Sequence, residues 1–304
     1  MEKVGLVLNP HAGNQKLAEI VDTIHSKLLE AFSEVKIFKT KKAGEGAEIV
    51  KEIAEEIDLL IGAGGDGTIY EIINALCPLE NRPAFAIIPG GTCNDFSRTL
   101  GMNQDPLLAV EQIINKATQK VDVGKYDDQY FLNFWGIGLI SEVSKNVESE
   151  NKKLLGKMSY YIHASKMIFQ NERFHLKVDS KAKSFDGEAV MMVIGNGSYL
   201  GGMQTFFPGA QIQDGKLDVL IIKQTSIQHF WTWLQSQIQN KFPEDSNEDL
   251  LFFRAESLEI EASPQQKIDC DGEIKYETPS KITVLPGHLT VVVGDFPKMT
   301  TLCS

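Results

Sequence analysis

Cysteine is scarce in this chain of 304 residues: Cys77, Cys93, Cys270 and Cys303 are the full set, and no two form a C-x-x-C pair. That spacing excludes a zinc ribbon or a disulfide scaffold and points to a reducing compartment. Long hydrophobic runs are missing too, since no stretch reaches the ~18 apolar residues a membrane-spanning helix requires. The opening MEKVGLVLNP has a strand pattern rather than that of a signal peptide, so a cytoplasmic chain is expected. Positive charge is in deficit, with 30 Lys and Arg against 41 Asp and Glu and a net charge of −11. A broad electrostatic grip on nucleic acid is therefore excluded. Any anionic ligand must be held by a local device, such as glycine-rich backbone or a few placed donors.

What remains is an ordinary globular composition, 42% apolar and 23% charged, long enough for two domains with separate cores. Up to about residue 120 two periods alternate. KVGLVLN, VKIFKT, DLLIGAG and AFAIIPG read as buried strands. QKLAEIVDTIHSKLLEAF, GAEIVKEIAEEI, TIYEIINAL and DPLLAVEQIINK read as helices, the last with Pro106 in its first turn. Such alternation predicts a mostly parallel, doubly wound α/β sheet.

Beyond Val121 the pattern changes to many strands and few helices. FLNFWGIGL, FHLKVDS, EAVMMVIGNG, KLDVLIIK, LEIEAS, QKIDCDGEIKYE and HLTVVVGDF read as strands, with helices near 154–170 and 226–240. This predicts an antiparallel β-sandwich. The expected division is an α/β domain over residues 1–124 and a sandwich over 125–289, with the tail from 290 packing back on the first. The acidic stretch FPEDSNEDL after Lys241 reads as a solvated loop.

The densest motif is LLIGAGGDGTIYEIINAL, with Gly62, Gly64, Gly65 and Gly67 within six residues. It satisfies G-x-G-x-x-G, yet it follows the third strand, and the next strand ends in IIPGG without a carboxylate. A dinucleotide fingerprint follows the first strand and is answered by an acid at the end of the second, so nicotinamide is excluded by context. A Walker A loop is excluded because Thr-Ile follows Gly67 in place of Lys-Ser/Thr. Two readings are left. One is a phosphate cradle of backbone N–H groups backed by a helix starting near Thr68. The other is a plain tight turn whose glycines supply positive φ. NPHAGN (Asn9 to Asn14) follows the first strand and PGGTCNDFSR (Pro89 to Arg98) the fourth. In a doubly wound sheet all three turns fall along the strand ends where ligands bind.

These segments resemble the diacylglycerol kinase-type lipid kinase family, with sphingosine kinase-like relatives. NPHAG, GGDGTIYEIIN and PGGTCNDFSR match its motifs, and NGSYLGGM, PGAQIQDGKLDV and DGE extend the resemblance over nearly the whole chain. GGDGT alone is shared with NAD kinases and is related to the phosphofructokinase pattern. The resemblance implies a phosphofructokinase-like domain, a β-rich domain, and ATP between them. It places Asn9, Pro10, His11, Ala12 and Gly13 in the first nucleotide loop, with Thr40 close by. Gly64, Gly65, Asp66, Gly67 and Thr68 would surround the phosphates, and Thr92, Asn94 and Asp95 belong to the next loop. Hydroxyls and glycine amides are suitable neutral donors for phosphate in an acidic protein.

Phosphoryl transfer uses a hard cation on the β- and γ-oxygens, and Mg²⁺ takes carboxylate and water. The resemblance assigns this network to Asp66, Asp95 and Asp122, each expected where a strand ends. Taken singly, each is equally an ordinary turn or capping residue. It assigns the acceptor base to DGE, offering Asp271 and Glu273, which share a face if they lie on one strand; the ordinary alternative is an Asp-Gly hairpin turn. A second magnesium site is implied at Asp214 with main-chain oxygens near Gln211 and Lys216, again against a plain hairpin. The chain departs from some relatives at Asn14, where they carry lysine; Lys16 follows two places later.

The expected activity is transfer of the ATP γ-phosphoryl group to diacylglycerol or a similar lipid. The rivals are an NAD kinase-like or sugar-phosphate kinase, disfavoured by NPHAG with NDFSR, and a non-catalytic lipid or nucleotide sensor, disfavoured by the intact acids. Lys152, Lys153, Lys157, Lys166 and Arg173, interleaved with Tyr160, Tyr161, Met167 and Phe169, make a candidate for peripheral contact at the inner membrane face. The alternative is an amphipathic helix covering the β domain. A homodimer is compatible with this reading.

Overall fold

The computed structural model describes residues 2–138, 173–202, 204, 207, 209–223 and 249–294. The basic segment 152–169, the expected helices at 154–170 and 226–240, and most of the acidic stretch lie outside the described residues. The chain divides into two compact units, one holding residues up to Val121 together with those from Gly287 on, the other Asp122–Pro286.

In the first unit β1 (Lys3–Leu8), β2 (Glu34–Lys39), β3 (Leu59–Gly64) and β4 (Ala84–Pro89) pair in parallel in the order β2-β1-β3-β4. Every residue of β3 and β4 is buried, as a parallel sheet covered on both faces requires. The cover comes from α1 (Lys16–Glu19), α2 (Val21–Leu29), α3 (Glu45–Ile53), α4 (Asp66–Leu76), α5 (Asp95–Thr99) and α6 (Pro106–Ile114). α3 packs on α4 and α2 on α6. Each fully buried Leu, Ile, Val or Phe in these layers contributes about 1.5–3 kcal/mol.

Several local expectations change. The single helix expected from Gln15 is a 3-10 turn (Ala12–Gln15) followed by α1 and α2, interrupted at Ile20, where φ is −106° and ψ 6°. α4 begins at Asp66 rather than near Thr68, so Asp66 and Gly67 form its first turn. α5 has no apolar periodicity long enough to announce it. α6 begins as its sequence dictates, with the Asp105 carboxylate accepting the N–H groups of Leu107 at 2.9 Å and Leu108 at 3.3 Å and Pro106 at the first position.

The remaining strands are β5 (Thr118–Tyr126), β6 (Gln129–Phe131), β7 (Phe134–Gly138), β8 (Phe174–Asp179), β9 (Phe185–Ala189), β10 (Met191–Gly195), β11 (Leu217–Ile222), β12 (Leu250–Ala255), β13 (Ser257–Ser263), β14 (Lys267–Cys270), β15 (Glu273–Glu277) and β16 (Ser280–Val292). In the second unit one sheet runs β12-β11-β10-β7-β14-β15, antiparallel throughout. The other layer pairs the first part of β16 with β13, β13 with β8, and β8 with β9, again antiparallel. β8 alternates buried and exposed residues along its length, the pattern of a strand with one wet face. Together with the doubly wound first unit this is the predicted α/β-plus-sandwich class. The end of β16 lies in the first unit, where Val291 pairs in parallel with Phe85 of β4.

EAVMMVIGNG is two strands in different sheets, broken at Val190. The acidic stretch does not end as a loop: Leu250 opens β12 and is buried against β11. QKIDCDGEIKYE is a hairpin, with φ of 48° at Asp271 and 90° at Gly272. Asp271 and Glu273 therefore do not sit two apart on one strand, and their side chains have separate surroundings.

Candidate active site

Three turns at the ends of β1, β3 and β4 meet in the first unit, and glycine is what lets them meet. None of Gly62, Gly64, Gly65 and Gly67 has positive φ, so the glycines of this loop do not serve a left-handed turn. They serve close approach. A Cβ on Gly64 would stand 2.6 Å from the Thr68 side chain, one on Gly91 2.7 Å from the Gly65 Cα, and one on Gly13 2.1 Å from the Gly90 oxygen. Such separations are too short for any side chain, so backbone packs directly on backbone at Gly91 and Gly13, and on the Thr68 side chain at Gly64. Of these three, Gly13 combines its contact with a left-handed φ of 57°.

Hydrogen bonds lock the junction. Gly90 N–H donates to the Gly64 oxygen at 2.8 Å and Asn9 N–H to the Ala63 oxygen at 2.9 Å. The Asn9 carboxamide donates to Thr68 Oγ1 at 3.0 Å and accepts His11 N–H at 3.0 Å. Asn94, left-handed at φ 52°, folds its loop: its Oδ1 accepts Gly91 N–H at 2.7 Å and its Nδ2 donates to the Gly91 oxygen at 3.0 Å. Asp66 ties the GGDGT and NDFSR turns together, accepting Asn94 N–H at 2.9 Å and Asp95 N–H at 2.8 Å, one on each carboxylate oxygen.

Burial raises the Asp66 pKa above the usual carboxylate value, opposed by the N–H groups of Asp95 and Asn94 and by the charge of Arg98. Asp95 is buried beside it. Thr92, Gly67, His11 and Gly13 are exposed at the same junction, while Pro10, Ala12, Gly65 and Thr68 are half-buried. Thr40 is more inward, with its N–H on the Leu8 oxygen at 2.9 Å. Arg98 was not singled out from sequence; its Nε donates to the Cys93 oxygen at 2.7 Å.

The second unit gathers the other acids. Asp122 is buried; its carboxylate accepts Gly215 N–H at 2.7 Å, and its own N–H donates to the Ile212 oxygen at 2.7 Å. Asp271 is buried in the β14–β15 turn and accepts the N–H groups of Leu132 at 2.8 Å, Asn133 at 3.0 Å and Phe134 at 2.8 Å. Glu273, at the start of β15, is 34% exposed and pairs with Lys275 at 3.2 Å. Asp269 is fully buried and accepts Gly272 N–H at 3.1 Å. Cys270 is buried, which pushes its thiol well above the ordinary value, consistent with a packing role.

No cluster of three or more His, Cys, Asp or Glu side chains arranged as metal ligands exists among the described residues. Magnesium is bound through one or two carboxylates, substrate phosphates and water, and Asp66 with its neighbour Asp95 fits that donor set. The QDGK turn fits a second ion poorly. Asp214 accepts Lys216 N–H at 3.0 Å, and its other oxygen lies 3.5 Å from Arg254 Nη1. Arg254 also donates to Asp218 at 2.7 Å and lies 3.4 Å from the Gly209 oxygen. A guanidinium thus already stands between the two carboxylates of this turn and beside the Gly209 oxygen. Arg254 lies outside every motif quoted above, and Asp218, although inside PGAQIQDGKLDV, was given no role there.

Comparison with known proteins adds the family. Residues 3–126 match the family described as diacylglycerol kinase catalytic domain, and residues 136–293 match the YegS C-terminal NAD kinase beta sandwich-like domain. A diacylglycerol kinase of Bacillus subtilis (strain 168) is 30% identical over 295 residues, spanning 96% of this chain and 97% of its own length. One from Staphylococcus carnosus (strain TM300) is 29% identical over 305 residues, spanning 99% and 98%. Two crystal structures from Bacillus anthracis str. Sterne that carry a diacylglycerol kinase's name superpose with TM-scores of 0.84 and 0.79 at 41% and 38% identity, each match covering 96% of this chain and 97% of the other.

Proposed function

The chain belongs to the diacylglycerol kinase family and is an ATP-dependent lipid kinase; from that premise we propose how its residues divide the reaction. The carrying observation is the glycine junction of the first unit, where three turns bring the exposed residues Gly13, Gly67 and Thr92 and the Asp66 carboxylate to one place. Asn9, Pro10, His11, Ala12, Gly13 and Thr40 line the nucleotide's approach. Gly64, Gly65, Gly67, Thr68, Thr92 and Asn94 receive the phosphates, with N–H and hydroxyl donors offsetting the chain's negative charge.

Asp66 and Asp95 would hold Mg²⁺ together with nucleotide phosphate, and the ion would supply charge neutralisation of the β- and γ-oxygens. Asp122, which the resemblance joins to the metal network, is in the second unit a buried carboxylate fixed by the Gly215 N–H.

The acceptor is the primary hydroxyl of diacylglycerol or a similar lipid. Its oxygen forms the new bond to the γ-phosphorus while the bond from that phosphorus to the β–γ bridging oxygen breaks, releasing ADP. The hydroxyl proton passes to Glu273, the more accessible carboxylate of the DGE turn. Asp271 holds the 132–134 backbone with three N–H bonds and so orients the turn. Asp214, Gln211 and Lys216 shape a structural turn around Arg254.

Peripheral contact with a membrane is proposed for the basic segment Lys152 to Arg173, on its charge alone. No described helix is long and apolar enough to cross a membrane.

The test is phosphorylation by labelled ATP of a panel of diacylglycerol, phosphatidylglycerol, a sphingoid base and NAD. Label in phosphatidic acid is the expected result; label in NAD alone would overturn the lipid assignment.

A further inference from the structure

NGSYLGG, Asn196 to Gly202, is the motif to which the division of roles above gives nothing to do. Asn196 follows β10 and is 1% exposed. Its Nδ2 donates to the main-chain oxygens of Asp122 at 3.1 Å and Leu132 at 2.8 Å. Its backbone N–H donates to the Asn133 oxygen at 2.7 Å. Two carbonyl oxygens facing one nitrogen fix the orientation of the amide, because the flipped form would set oxygen against oxygen.

The groups Asn196 holds are the ones the candidate acids also hold. Asp271 accepts the N–H of Leu132 and of Asn133, while Asn196 takes the carbonyl of each. Asp122, whose carboxylate is tied to Gly215, has its carbonyl taken by the same Asn196 nitrogen. One carboxamide thus joins the Asp122 backbone to the segment that Asp271 grips. The Oδ1 of Asn196 is buried without a hydrogen-bond partner among the described residues.

We propose that Asn196 is a positioning residue for phosphoryl transfer, fixing the Asp122 backbone and the 132–134 segment relative to each other; this rests on the DGE turn being the acceptor side of a lipid kinase. It touches no reacting atom. Its action is exerted through the main chain of Asp122 and Leu132.

The experiment is steady-state kinetics on diacylglycerol in mixed micelles, with ATP binding titrated separately. Asn196→Ala should lower kcat by about tenfold or more, as a misplaced reacting group does. The Kd for ATP should stay within about threefold, because the NPHAG, GGDGT and PGGTCND turns lie in the other unit. In the Asn196→Ala, Asp271→Asn double variant, kcat should fall little below that of Asp271→Asn alone, since the two act on one segment. Asn196→Ser, which keeps one donor, should lie between parent and alanine and serves if the alanine variant does not fold. An active parent with kcat unchanged in Asn196→Ala, or losses that multiply in the double variant, would overturn the positioning role alone. A parent inactive on every lipid alcohol would overturn the lipid-kinase reading and this inference with it.

Discussion

Asp66 Oδ1 accepts the backbone N–H of Asp95 at 2.8 Å, so one acid orients the backbone that carries the next. With the other oxygen on Asn94 N–H, the carboxylate fixes the NDFSR turn, and it is the group we propose for the cation. Asp66→Asn keeps the shape and removes the charge. We expect kcat to fall by about 10³-fold, a loss comparable to that of a major electrostatic group, with the fold retained by circular dichroism. Turnover near the parental rate in a folded variant would remove Asp66 from the nucleotide site.

The same carboxylate sets a pH dependence. Burial raises its folded pKa above the unfolded value, so in metal-free protein the ionised form costs stability. Stability therefore declines as pH rises between those two values. A cation requires the ionised form, so Mg·ATP affinity should weaken as pH falls through the raised pKa, above the range of an exposed aspartate. Titrations across pH should show this in the parent and a flatter profile in Asp66→Asn; identical profiles would contradict it.

Gly91→Ala tests the glycine junction. Its Cβ would lie 2.7 Å from the Gly65 Cα and 2.8 Å from Asn94 Oδ1, and neither backbone nor the bonded amide can yield cheaply. Overpacking of this kind costs about 1–3 kcal/mol. The melting temperature should fall, and the Kd for ATP should rise about tenfold or more as the turns part. Gly187→Ala, which meets only Phe185 at 3.4 Å, is the control and should change neither.

The two carboxylates of the DGE turn should separate by their effects. Glu273→Gln loses only a part-exposed ion pair with Lys275, so its stability should change by less than about 1 kcal/mol. Its kcat should fall by ~10²–10⁴, the usual share of general-base help. Asp271→Asn turns an amide toward three N–H groups and should cost about 1–3 kcal/mol in stability. Thermal melts beside kcat measurements decide this, and a Glu273→Gln enzyme with full kcat would place the proton acceptor elsewhere.

Charge reversal at Lys153 and Lys157 should weaken sedimentation with anionic vesicles while leaving ATP affinity unchanged. Binding of the parent should weaken with salt, since screening acts beyond about 8–10 Å. Equal binding of both proteins at low salt would remove the basic segment from membrane contact.

Much of this protein is determined by sequence alone, because its signals are local. The apolar runs at Leu59–Gly64 and Ala84–Pro89 could only be buried strands, and Asp105-Pro106 could only open a helix. The three glycine turns were legible as a group because strand–helix alternation places them at one sheet edge. Tertiary structure decided what those glycines do: the positive-φ reading fails for Gly62, Gly64, Gly65 and Gly67, and close contacts, such as that of Gly65 with Gly91, take its place. It likewise decided that Asp271 is a buried anchor, although Glu273 two residues on is half-open. The roles of Asn196 and Arg254 also depended on partners that no periodicity records. Pattern reports which face of an element is apolar; which carbonyl a buried amide meets depends on how distant segments pack.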